Sequence, residues 1–214
     1  MIKTQTQSNG PSNGGALARV DFNPALRDDV EMGPCIGLLE TCSVARGIEV
    51  ADALLWQAAV EVLCATPVHP GKYVVLVTGS VDDVRSALRR GEEVAGSDLV
   101  DRLHIPQVHP QVEQALRRRG GKIDAPLDAL GVVETTTVAS AILAADQAVK
   151  TAVVDLVDLR IANGLGGKSF LVVVGNVADV RSSVAAGARG AQEKGLLARE
   201  VVIARPHQDL LRHL

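Results

Sequence analysis

Apolar and polar positions alternate in a pattern that divides the chain into short β-like runs and amphipathic helical stretches. Cys35 to Thr41 (CIGLLET) is an apolar run ending in Glu-Thr and predicts a strand. Ser43 to Ala58 carries apolar residues at Val44, Ile48, Ala51, Leu55 and Ala58, the spacing of a helix with one buried face. Val60 to Ala65 and Tyr73 to Thr78 are β-rich runs flanking His69-Pro70-Gly71-Lys72, which predicts two strands joined by a turn. Ser80 with an acidic residue three positions on is a helix N-cap signal and opens a helix over Val81 to Ala95. Leu99 to Ile105 predicts a fourth strand, and Pro110 to Arg118 a short closing helix.

The same order then recurs. ALGVVET at Ala129 to Thr135 answers CIGLLET at a shift of 94, as Ala145-Asp146 answers Ala51-Asp52. Beyond the glycine-bearing turns the shift is 96, pairing Gly79 with Gly175 and Val84-Arg85 with Val180-Arg181. Near the ends it is 98, pairing Ile105 with Ile203 and His109 with His207. Two insertions of two residues account for the drift, one in the glycine loop and one near Gly96. The chain is therefore a duplication of a unit of about 85 residues. Each copy reads β-α-β-β-α-β with a short C-terminal helix, the second ending over Pro206 to His213; this is a ferredoxin-like α+β ordering. The expected domains are 34–118 and 128–214, with a linker at 119–127 and an N-terminal extension at 1–33. The first 15 residues are rich in Gly, Ser, Asn, Gln and Thr and predict a flexible tail, whereas Asp21 to Met32 is mixed enough to dock.

Composition narrows the function classes. The 214 residues are 47% hydrophobic and only 2% aromatic, so the core is built of Val, Ala, Leu and Ile. A net charge of −3 without a basic stripe argues against nucleic acid. No apolar run reaches about 18 residues, which argues against a membrane helix, and the N-terminus lacks the apolar region of a signal peptide. Cys35, Cys42 and Cys64 have no metal-ligand spacing and read as reduced thiols.

The loops are the candidate chemistry. Ala162 to Ser169 (ANGLGGKS) approximates a phosphate-binding loop, but such a loop must open a helix whose N-terminus holds the phosphates. Here FLVVV follows, a β-branched run that predicts a strand. No catalytic constellation appears: the five histidines have no paired metal spacing, and GxSxG and dinucleotide fingerprints are missing. Glu40 and Glu134 end the first strand of each copy and read as structural hydrogen-bond acceptors rather than general bases.

GLLET, the helix with its Ala-Asp pair, the strand-loop-strand around a glycine turn, and the closing VIARPH resemble the bacterial microcompartment shell domain over residues 34 to 214. Tandem copies in this order are similar to the trimeric tandem-domain shell proteins, nearest to the type found in propanediol-utilisation compartments. The resemblance implies a homotrimer of six domains forming a pseudohexagonal tile, joined to other shell proteins (hexameric and pentameric tiles) around encapsulated enzymes in the cytoplasm. It implies a central pore for metabolites or cofactors, lined by Val68, His69, Pro70, Gly71, Asn163, Gly164, Leu165 and Gly166. In some relatives of this type a cysteine precedes the PGK loop and holds an iron–sulfur cluster; His69 stands there, so no cluster and no cofactor is expected. Three His69 side chains around an axis are a weaker, metal-binding alternative to a plain wet lining. The family's tile-edge lysine and arginine correspond to Lys150 and Arg205, with His207 following. Copy one departs, with Trp56 at the lysine place and Gln107 at the arginine place; Trp56 reads equally as an edge contact or as a core or interface aromatic. A trimeric ferredoxin-like regulator that binds a small molecule is the competing reading.

Overall fold

The computed structural model describes residues 26–117, 127–162 and 164–211. Copy one comprises β1 (Cys35–Thr41), α1 (Val44–Gln57), β2 (Glu61–Val68), β3 (Lys72–Gly79), α2 (Val81–Ala95), β4 (Leu99–Ile105) and α3 (Pro110–Leu116). Copy two repeats it as β5 (Ala129–Thr135), α4 (Val138–Thr151), β6 (Asp155–Ile161), β7 (Ser169–Gly175), α5 (Val177–Glu193), β8 (Leu197–Ala204) and α6 (Gln208–Leu211). The sheets run β2-β3-β1-β4 and β6-β7-β5-β8, every neighbouring pair antiparallel. This is the expected ferredoxin-like α+β architecture, twice over.

Local chemistry sets these elements. Side chains cap all four long helices: Ser43, Ser80, Thr137 and Asn176 accept the backbone N–H three residues on. The glycine in each GLLET-like run permits close helix packing. A Cβ on Gly37 would lie 2.7 Å from Val84 Cγ1, and one on Gly131 would lie 2.4 Å from Val184 Cγ2. Both central strands carry an irregularity at the same place, between Glu40 and Thr41 and between Glu134 and Thr135. The insertion expected near Gly96 lengthens α5 to 17 residues against 15 in α2.

One face of each sheet lies on its own two helices. The other face of sheet one lies on α4 of copy two: Ile36, Leu38, Leu76 and Leu103 share one buried cluster with Val138, Ala141, Ile142 and Ala145. Helix α3 crosses to copy two, where Gln111 Nε2 donates to the Val154 carbonyl (3.1 Å) and Gln111 Oε1 accepts the Leu156 amide (2.7 Å). The two copies thus form a single packed body.

Some boundaries differ from expectation. β2 runs on to Val68, because Thr66, Pro67 and Val68 remain in register with Val74, Tyr73 and Lys72. α3 ends at Leu116 with Arg117 as its C-cap, and Arg118, most of the expected linker and residues 1–25 fall outside the described residues. The end of the extension does dock. Leu26, Val30 and Met32 are buried, the Arg27 amide donates to the Leu63 carbonyl at 2.9 Å, and the Arg117 guanidinium donates to the carbonyls of Arg27 and Val30.

Candidate functional site: the glycine loops and the faces between domains

The two loops meet. Gly167 packs so closely on the first loop that a Cβ there would lie 2.8 Å from Pro70 Cδ and 3.3 Å from the His69 carbonyl oxygen. Gly71, Gly164, Gly166 and Gly167 all have positive φ, as does Ala162, so the backbone turns in conformations that favour glycine. His69, Pro70, Gly71, Gly164 and Gly166 are exposed, and Leu165 is half-buried. Val68, expected on the loop, instead ends β2 with its side chain in the core, since the strand continues to the turn. Asn163 lies outside the described residues.

The lysine closing each loop is structural. Lys72 Nζ sits 2.9 Å from Glu40 Oε1 and 3.1 Å from the Thr136 carbonyl; Lys168 Nζ sits 3.1 Å from Glu134 Oε1. β7 follows the second loop directly, so no helix N-terminus faces a phosphate there and the phosphate-loop reading fails.

The seam between the copies is held by two buried carboxylates of copy one. Glu40 accepts the Val138 amide at 2.8 Å and the Ala139 amide at 3.5 Å, capping the N-terminus of α4 in addition to Thr137. Burial pushes the Glu40 carboxyl up, against the opposing pull of Lys72 and the two amides. Asp101 accepts Thr137 Oγ1 and Ser140 Oγ, each at 2.7 Å, and Lys194 Nζ at 2.9 Å. Burial opposes its charge, but the hydrogen bonds from Thr137, Ser140, Lys194 and the Arg102 amide together hold it below the usual carboxylate range. Sequence reasoning found Glu40 from its duplication. It missed Asp101, whose counterpart at the shift of 98 is Arg199.

The same two surfaces recur partly open: on the copy-two sheet face Leu130 and Val172 are still buried, and the opening lies at β8. Val138 and Ile142 of α4 are fully buried; their counterparts on α1, Val44 and Ile48, are 36% and 56% exposed, and Leu55 is 50% exposed. Leu103 of β4 is buried; its counterpart Val201 on β8 is 41% exposed. Glu134, counterpart of the buried Glu40, is partly open. The chain therefore presents the β8 side of the copy-two sheet face and the α1 face of copy one as the open counterparts of the seam it closes internally.

Lys150 Nζ is held by Asp146 Oδ2 at 2.6 Å and by the Gln107 carbonyl of copy one. The His109 amide donates to the other Asp146 oxygen at 2.9 Å. Arg205 is exposed, has φ +49° and donates its amide to the Asp128 carbonyl. His207 is exposed with Nδ1 accepting the Asp209 amide. Trp56 is 85% exposed, which removes the reading of a core aromatic within the chain. It borders a groove of about 300 Å³ with Glu49, Asp52, Gln57 and Arg90.

A family profile for the BMC domain matches residues 35–108 and again 129–206. The bacterial microcompartment shell protein PduT of Citrobacter freundii is 41% identical over 183 residues, covering 86% of this chain and 98% of that protein. The chain belongs to the BMC-domain shell proteins of bacterial microcompartments. The crystal structure of a microcompartment protein from Desulfitobacterium hafniense is 48% identical, with a TM-score of 0.71 over 85% of this chain and 99% of that one. The shell protein EutM of Salmonella typhimurium is 40% identical over 84 residues, 39% of this chain and 85% of that protein, a length that matches one BMC copy. Structural membership of a shell, with tandem BMC domains, follows.

An iron–sulfur cluster at the loops does not fit the residues of this BMC chain. The described loop residues supply one imidazole, His69, and no thiol. Cys64, nearest in sequence, is buried in the core, where burial pushes its thiol up to about 11. Such clusters are held by thiolates. Among the described residues no group of three potential metal-binding side chains forms, and no helix is long and apolar enough to cross a membrane.

Proposed function

We propose that this BMC protein is a homotrimeric shell tile whose six domains surround a pore. The observation that carries the reading is the pair of partly open faces, the β8 side of one sheet and the α1 face. A sheet face of copy two and the α1 face of copy one match the two sides of an interface that the chain already makes internally. Such a contact is head-to-tail, and head-to-tail contacts either close into a ring or run on as a filament. With two equivalent domains per chain, closure after three chains gives a pseudo-sixfold ring.

The glycine loops of successive domains touch within one chain. Repeated around the ring, the same approach brings His69, Pro70, Gly71, Gly164, Leu165 and Gly166 to the axis as the pore rim. Exposed glycine backbone there offers N–H groups to anionic metabolites. We read His69 as wet lining without a bound metal. Tiles then meet other shell proteins at edges carrying Lys150, Arg205 and His207, around enzymes enclosed in the cytoplasm. The solution mass of the full chain tests the ring: three chains support it, and a persistent monomer or an open-ended series contradicts it. Flux of charged probes through reconstituted shells tests the pore, and flux unaltered by His69→Ala together with loop substitution contradicts it.

A further inference from the structure

The two sheet faces of the chain carry opposite charges at equivalent places. On β4 the residue opposite Glu40 is Asp101; on β8 the residue opposite Glu134 is Arg199. The helix faces they meet differ in the same sense. Asp101 is received on copy two by Thr137, Ser140 and the ammonium of Lys194. The matching places on copy one are Ser43 and Arg46, and the turn after α2 there ends in Asp98. Arg46 Nε lies 3.4 Å from Asp98 Oδ2, and Arg46 also reaches Glu49 Oε2 at 2.6 Å. The covered seam thus sets an acidic strand against a basic helix end, whereas the open faces offer Arg199 on the strand and a helix end where Asp98 and Glu49 outnumber Arg46.

We propose that this exchange of charge strengthens the contact between chains: the β8 face takes the α1 face of a second copy of this chain, with Arg199 on the Asp98 carboxylate. The inference rests on the trimer reading and adds a charge pair to its contact. A matched pair of opposite charges at an interface guides the right partner. Glu134 completes the match: its counterpart Glu40 caps the first amides of α4, and Glu134 is open to do the same for Val44 and Ala45 of the arriving α1. The apolar part of the contact comes from Val201 on one side and Val44, Ile48 and Leu55 on the other.

The test is the concentration dependence of association of the full chain, followed by sedimentation equilibrium at low ionic strength. Three proteins are compared: wild type, Arg199→Asp, and Arg199→Asp combined with Asp98→Lys. Arg199 is exposed and Asp98 half-buried beside Arg46, and thermal melts establish that the variants fold. The expected result is a trimer for wild type, a midpoint raised at least about tenfold for Arg199→Asp, and recovery to within about threefold in the double variant. A wild-type trimer whose midpoint Arg199→Asp leaves unchanged overturns the charge rule and leaves the trimer standing. A double variant as weak as the single one overturns the pairing of Arg199 with Asp98. A wild type that never exceeds one chain overturns the trimer reading and this inference with it.

Discussion

The buried Glu40 carboxylate at the end of β1 accepts the Val138 amide of α4 at 2.8 Å, so a strand of the first domain caps a helix of the second. The same carboxylate holds Lys72, the residue that closes the first glycine loop. Loop position and domain docking are therefore fixed by one side chain.

Removing that side chain strands two helix amides and a mostly buried ammonium. Glu40→Ala is expected to cost about 3 kcal/mol. Glu40→Gln keeps an acceptor for the amides and is expected to cost no more than about 1.5 kcal/mol. Thermal or denaturant unfolding of both variants checks the ordering; equal losses would mean that the carboxylate does not cap α4.

Asp101 gives the seam a pH dependence. Its folded-state pKa lies below the ordinary value of about 3.9. Its contribution is thus present above about pH 4 and is lost as pH falls through the depressed value. Glu40 has the opposite sign: its carboxyl is raised, so its ionised form detracts from stability as pH rises through the folded value. Asp101→Asn is expected to lower the melting temperature clearly at pH 7, with a gap that narrows as the pH is taken from about 4 towards 3. A gap constant from pH 7 to 3 would remove Asp101 from the titrating network.

Much of the fold is legible in the sequence because its signals are local. The apolar spacing of Val44, Ile48 and Leu55 predicts α1, the Ser80 and Asn176 caps mark two helix starts, and FLVVV after the second loop predicts β7. The duplication makes the second domain readable from the first. What lies between the domains is not local. Val44 and Val138 carry the same pattern, yet only Val138 is covered, because coverage depends on which neighbour the fold brings to it. Asp101 looks like an ordinary strand carboxylate until Thr137, Ser140 and Lys194 converge on it. Val68 lies beyond the β-rich run of Val60 to Ala65, and only the register with Lys72 assigns it to β2.

Close helix packing explains the glycine of each GLLET-like run. Gly131→Ala places a Cβ against Val184 and Val180, and Gly37→Ala against Val84 and Leu88. Each is expected to destabilise by about 1–3 kcal/mol through overpacking. Unfolding midpoints within error of wild type would mean that α2 and α5 move away from the sheets without penalty.

Trp56 reports on contact between chains. It is the sole tryptophan and is almost fully exposed in the single chain. Within the chain its counterpart Lys150 lies against the Gln107 carbonyl, at the place in copy one that Arg205 occupies in copy two. The α1 face in a ring therefore brings Trp56 towards Arg205 of another copy. Its emission is expected to shift to shorter wavelength as the chain associates. Emission that stays constant across the association range would set Trp56 outside every interface.

The central claim, a trimeric tile that builds a shell, is tested most directly by negative-stain imaging of the purified chain at low and high salt, alone and with partner shell proteins, alongside its solution mass. The account predicts particles with the mass of three chains that tile into flat hexagonal sheets. A monodisperse particle that never tiles, even with partner shell proteins present, would contradict it and would favour a soluble ligand-binding role for the glycine loops.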